Sequence, residues 1–100
     1  MKITRWNAEI SASKEIVYKL FELAGLEPKL IPVKSGSKFT NQKTYMTEVI
    51  QVVEGELIFN LSGTQFVLRP GDKVEIPANT NYSFSNLKEL NSSFFVANKI

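Results

Sequence analysis

Residues 69–86 read RPGDKVEIPANTNYSFSN, and this stretch decides the fold. Arg69-Pro70-Gly71-Asp72 predicts a type II turn, with Pro70 pre-set at the second position and Gly71 supplying positive φ at the third. KVEI then reads as a strand ended by Pro77, followed by a polar turn and a second strand, NYSFSN. Such a frame presents Tyr82 on one strand face, with Phe84 two residues along on the same face. A tyrosine so placed stands out because the chain has no histidine.

The pattern continues outward from this stretch. QFVLR runs into the turn, and ELIFNL (56–61) alternates and ends at Ser62-Gly63, a hairpin signal. YMTEVIQVV (45–53) reads as a strand closed by a tight turn at Gly55, SSFFVAN as the last strand, and KLIPV as one ending in the flexible turn 34–37. Short strands bounded by turn residues predict an all-β sandwich or barrel. Before residue 29 the period changes. Ile16, Val17, Leu20, Phe21 and Ala24 recur at spacings of three and four, the apolar stripe of a helix. Ser11 or Ser13 can cap its start, and Gly25 closes it, with Leu26 and Pro28 beyond. The stripe has to bury, so the helix is expected on the outside of the barrel. KITRW (2–6) predicts a short strand, with Trp6 a packing anchor and, as second choice, a dimer contact. The expected organisation is one domain over 1–100, with strand and helix in 1–28 and the barrel in 29–100.

Composition narrows the function. Twelve basic and ten acidic residues give a formal net charge of +2, too balanced to argue for nucleic acid or an anionic membrane. Nucleic-acid binding also wants aromatics interleaved with the charges, so no such partner is expected. With no cysteine, disulfides, thiolate nucleophiles and cysteine-ligated metals are excluded. No apolar run approaches the roughly 20 residues needed to cross a bilayer, and the N-terminus lacks the apolar core of a secretory signal. The expectation is a cytoplasmic chain with no membrane partner.

EVIQVVEG at 48–55 and GDKVEIPANTNYSFSN at 71–86 together resemble the two motifs of the cupin superfamily, small jelly-roll barrels. The first stretch fits the glutamate-to-glycine half of one motif. The second fits the other in length and in Gly71, Pro77 and Asn86. Taken with the helix, the resemblance implies an all-β fold, a small jelly-roll β-barrel with one N-terminal α-helix. It also implies a homodimer, which the unpaired edge of a short barrel supports. Where metal-binding cupins carry three histidines and a glutamate, this chain has Gln42, Thr44, Tyr82 and Glu48; a longer spacer would put Asn41 and Lys43 at the first two positions. Asn79 stands for a motif glycine and can still adopt the left-handed region. One carboxylate with neutral amide and hydroxyl oxygens is a poor donor set for a transition ion and a thin one for calcium or magnesium. No metal or other cofactor is therefore expected, nor the metal-dependent chemistries of the family, nor its epimerase chemistry, which uses a histidine base.

Strand alternation turns Ile50 and Val52 the same way as Glu48, and Phe84 the same way as Tyr82. Gln42, Thr44, Glu48, Ile50, Tyr82 and Phe84 are therefore the candidate pocket, apolar walls with four polar groups. Four lysines and no acid lie between residues 29 and 45. Of these, Lys34, Lys38 and Lys43 are candidates for a cationic rim that draws in an anionic metabolite, against the plainer reading of a solvated loop. Asn86 is expected to tie backbone. Three functions follow. The first is a metal-independent domain that binds a small, anionic ligand in the barrel, with no catalytic residue. The second is a structural or interaction homodimer whose barrel is plugged by pairing of Tyr82 with Glu48. The third is a metal-free enzyme that uses those two side chains as acid and base.

Overall fold

Turn chemistry and the period-two pattern translate into nine strands and one helix among the described residues. The computed structural model describes residues 1–99. In chain order these are β1 (Lys2–Thr4), α1 (Lys14–Leu23), β2 (Lys29–Val33), β3 (Lys38–Lys43), β4 (Thr47–Glu54), β5 (Leu57–Leu61), β6 (Thr64–Leu68), β7 (Lys73–Ile76), β8 (Asn81–Ser85) and β9 (Ser92–Lys99). One antiparallel sheet has the order β1-β7-β4-β9-β2 and the other β3-β8-β5-β6. They pack face to face as a jelly roll, and the all-β class with one helix is the fold the chain adopts.

Alternation decides what each face meets. On β7, Val74 and Ile76 are fully buried between the sheets, which turns Lys73 and Glu75 to the outer face. Ile50, Val52, Leu57, Phe59, Leu68 and Phe94 join them in the interior. β4 is buried on both faces. Its outer residues Val49 and Val53 meet Val17 and Phe21 of α1, together with Phe95 and Ala97 of β9. This is why TEVIQVVE reads as a nearly continuous apolar run. The polar exception, Gln51, donates from Nε2 to the carbonyl of Gly71 at 2.9 Å.

α1 begins at Ser13, whose hydroxyl accepts the Ile16 N–H at 3.2 Å. It ends in a Schellman arrangement, with Gly25 N–H donating to the Glu22 carbonyl and Leu26 N–H to that of Phe21. Leu20, counted in the apolar stripe, lies exposed at the stripe's edge.

The turn at 69–72 forms as its sequence predicts, with Asp72 N–H on the Arg69 carbonyl at 2.8 Å and Gly71 at φ +94°. Asn79 takes φ +61°. Two boundaries differ from the sequence reading. β1 stops at Thr4 because Asp72 accepts the Trp6 N–H at 2.9 Å and so draws residue 6 out of the sheet. Burial by itself would raise the Asp72 carboxyl, but the Trp6 and Arg69 N–H groups and the Arg5 guanidinium outweigh it and hold it below the usual carboxylate range. β4 starts at Thr47 rather than 45, because Thr44 is tied to the loop between β7 and β8: its N–H meets the Thr80 carbonyl, and its own carbonyl takes the Asn79 N–H.

Candidate functional site

The motif residues meet where β4 and β8 face each other across the barrel. Glu48 lies opposite Ile76 and Asn98 in its own sheet; Tyr82 lies opposite Gln42 and Leu61 in the other. The Tyr82 hydroxyl donates to Glu48 Oε1 at 3.1 Å, joining the two sheets. Burial raises the Glu48 carboxyl above its usual range, partly offset by the Tyr82 hydrogen bond. Burial and the neighbouring Glu48 charge push the Tyr82 phenol well above its ordinary value, so it remains a neutral donor.

Behind the pair the interior is aromatic. Phe59 is fully buried. Its ring stacks on Phe84 at 5.4 Å, Phe66 at 6.0 Å and Tyr82 at 6.3 Å, and meets Phe94 edge-on at 6.2 Å. Phe39 stacks on Phe84 at 4.9 Å. Ile50 and Phe84, expected as pocket walls, lie in this packed core.

Thr44 and Gln42 are held elsewhere. Thr44 is fully buried; its hydroxyl donates to the Pro77 carbonyl at 2.6 Å and accepts the Thr80 N–H at 2.9 Å. Gln42 donates locally from Nε2 to the Thr40 carbonyl at 3.0 Å. The structure thus joins Glu48 and Tyr82 but leaves the other two polar candidates serving backbone. The lysines do not gather into one rim. Lys38 and Lys43 occupy opposite ends of β3, facing Ser85 and Asn81, and Lys34 lies in the turn before β3. Lys43 alone stands at the Tyr82 end. An extended strand holds residues five apart about 16 Å from each other, which is why a lysine-rich run does not become a cluster.

This donor set does not fit a transition ion. Glu48 is the single anionic ligand at the motif positions, Thr44 is committed to backbone, and Tyr82 is neutral and donating. Among the described residues no group of three histidine, cysteine, aspartate or glutamate side chains converges.

Asn86 ties backbone. It donates from Nδ2 to the carbonyls of Val33 at 3.1 Å and Leu90 at 2.9 Å, and accepts the Lys88 N–H on Oδ1 at 3.0 Å. Asn86→Ala leaves these buried groups unpaired and is expected to lower unfolding free energy by about 2–4 kcal/mol, read by urea denaturation.

The sequence reading missed Phe59, Phe66, Phe94 and Phe39. Alternation in LIFNL placed Phe59 on the face of Leu57 and Leu61, a signal that could have found it. Phe39 gave none, since the bulge between Phe39 and Gln42, with Asn41 at φ +55°, resets the phase of β3. Sequence reading also missed a concavity of about 360 Å³, which lies outside the barrel between α1, residues 4–8 and the outer sheet face. Among the described residues no helix is long and apolar enough to cross a membrane.

The family model described as "Cupin domain" matches residues 31–97. The sequence matches no curated protein. Among solved structures, the chain is similar to a salicylate 1,2-dioxygenase from Pseudaminobacter salicylatoxidans, with TM-score 0.65 and 20% identity over 73% of this chain and 20% of that one. It is similar to Drosophila melanogaster CENP-C bound to CAL1, with TM-score 0.67 and 22% identity over 72% and 60% of the two chains. A Cupin 2 conserved barrel domain protein from Salinispora arenicola matches with TM-score 0.66 and 13% identity over 96% and 72%. At these identities the likeness is one of fold, and the chain spans only a part of the first two structures.

Proposed function

The chain belongs to the cupin domain family, and from that premise we propose that it is a metal-independent, non-catalytic cupin domain that works by association, its barrel plugged by its own side chains. One observation carries this reading: the Phe59-centred rings occupy the space between the sheets, and the pair at the motif positions, Glu48 and Tyr82, satisfies itself. A barrel so filled leaves its outer surface as the working part. β2 is an edge strand, and edges invite pairing. Leu30, opposite Phe95 on that edge, and Tyr18, whose ring meets Phe95 at 5.8 Å, are 38% and 42% exposed. A second copy of the chain is the partner proposed there. The likeness in fold to the structure of Drosophila melanogaster CENP-C bound to CAL1 supports association as a use of this fold.

Light scattering on a size-exclusion column, with metal analysis of the same peak, is the test. The expected result is about twice the 11.3 kDa chain mass, a shift to monomer in Leu30→Lys, and no stoichiometric transition metal. A monomer at all accessible concentrations, or one iron, zinc, manganese or nickel per chain, overturns the proposal.

A second reading, a small ligand at the barrel mouth, has one observation behind it. Glu48 is only half-buried, and its Oε2 accepts no hydrogen bond from the described residues. A donor-bearing ligand would fit there. The same carboxylate gives a pH prediction. Its folded pKa is raised, so the ionised form is disfavoured on folding, and stability falls as pH rises through the folded pKa. Glu48→Gln is therefore expected to melt with wild type at acid pH, where both are neutral, and at or above it at pH 8. A variant less stable than wild type only at pH 8 would contradict the desolvation argument.

A further inference from the structure

The outer concavity carries an inference of its own. It lies beside the end of α1, where the Schellman turn carries the chain away at Leu26, and the helix-covered Val49 forms part of its floor. The segment from β1 to α1 walls the other side. Trp6 is pinned there three ways: its N–H on Asp72, its Nε1 on the Ile10 carbonyl at 3.0 Å, and its ring against Gly71. The walls are thus Trp6, Phe21, Leu26 and Val49. A second hollow, of about 350 Å³, shares Leu26, Val49 and Lys73 and continues toward Glu75 and Lys99. Each is of the size that takes a small organic molecule.

The charges around these walls do not balance. Asp72 is held by Arg5 at 2.8 Å and Glu75 by Lys99 at 2.9 Å. Lys73 lines both hollows, yet no carboxylate of the described residues lies within ion-pair distance of it. Its neighbours on the face are Arg5, Lys2 and Lys99 against Asp72 and Glu75, so cations are in excess even after pairing. The Lys73 ammonium acts on Glu75 at longer range but has no carboxylate of the described residues within 4.0 Å, and beside an apolar floor it is complementary to a molecule with one anionic end and an apolar body.

We infer that this groove, between α1 and the outer face of the β7–β4 pair, is a binding site for a small amphipathic monocarboxylate, its carboxylate on Lys73 and its apolar body between Trp6, Phe21 and Val49. The site is independent of the barrel interior and does not require association of the chain.

Trp6 is the chain's only tryptophan, so its emission reads the groove directly. The probe is octanoate, with 1-octanol as the uncharged match. The expected result is a saturable change in Trp6 emission with octanoate and at least roughly a 10-fold weaker response to octanol. Lys73→Gln should weaken octanoate roughly 10- to 100-fold, the span of a charged hydrogen bond. Lys73→Arg should retain binding, and Lys14→Gln, a matched charge loss at the far end of α1, should leave it unchanged. Ala24→Phe, which fills the hollow while keeping the Lys73 charge, should abolish it. Circular dichroism melts establish that each variant is folded, and Ala24→Phe decides should Lys73→Gln not fold. No saturable response in the millimolar range overturns the inference. So do equal responses to acid and alcohol, full binding by folded Lys73→Gln or Ala24→Phe, or equal weakening by Lys14→Gln.

Discussion

Phe59→Ala is expected to lower the free energy of unfolding by about 3–5 kcal/mol, the range for deleting a buried aromatic ring. Phe59 is fully buried and meets four rings, three from its own sheet and Phe94 from the other. Those neighbours are anchored in the ladders: Phe66 and Phe84 lie directly opposite Phe59 on β6 and β8. Strands held by backbone hydrogen bonds cannot slide inward to close the hole, so most of the cavity penalty should remain. A domain of this size holds about 5–15 kcal/mol in all, and each kcal/mol moves the melting temperature of such a domain by about 4–8 °C. A fall of roughly 15 °C or more is expected. An apolar cavity of this kind binds benzene when empty, so saturating benzene should restore part of the loss in the variant and none in wild type. A loss below about 1 kcal/mol, far short of that range, would mean that the rings do not fill the barrel, and would remove the observation on which the plugged reading rests.

Gly71→Ala is expected to be nearly as damaging, for a different reason. Gly71 sits at φ +94°, which costs an L-residue about 1–2 kcal/mol. An added Cβ would also fall within contact distance of the Trp6 Cβ and indole ring, so the ring must move. Displacing it strains the Trp6 N–H bond to Asp72 and opens the wall of the outer groove. Gly36→Ala is the control, because Gly36 has φ +77° but nothing near its Cβ position. Gly36→Ala should show the backbone cost alone. Gly71→Ala should lose about 1–3 kcal/mol more, the cost of overpacking, and shift Trp6 emission. Equal losses with unchanged emission would mean that Trp6 does not bear on this turn.

Much of this structure was legible beforehand, and the legible parts are local. Gly71 and Asn79 had to take positive φ where turns were required, and they do. The spacing of Val17 and Phe21 announced a buried helix face. Alternation put Glu48 with Ile50 and Val52, and Tyr82 with Phe84, so two strands were correctly oriented once a barrel was assumed. The candidate site was half legible. Thr44 and Gln42 had the right spacing but the wrong partners, since the carbonyl that takes the Thr44 hydroxyl lies 33 residues away. The lysine run was legible as charge, but its spread along β3 was not.

The sequence by itself determined the element order, the turn positions and the donor chemistry: with neither histidine nor cysteine present, no arrangement of this chain can supply imidazole or thiolate. Only the tertiary structure decided that Phe59 sits at the centre of a five-ring contact, that the β3–β8 register stacks the partly exposed Phe39 on Phe84, and that Trp6, Phe21, Val49 and Lys73 frame one groove. The physical reason is range. Period, capping and turn preference depend on a few neighbouring residues, whereas a cavity or a charge imbalance is set by which side chains, distant in the chain, the sheet registers bring to the same point.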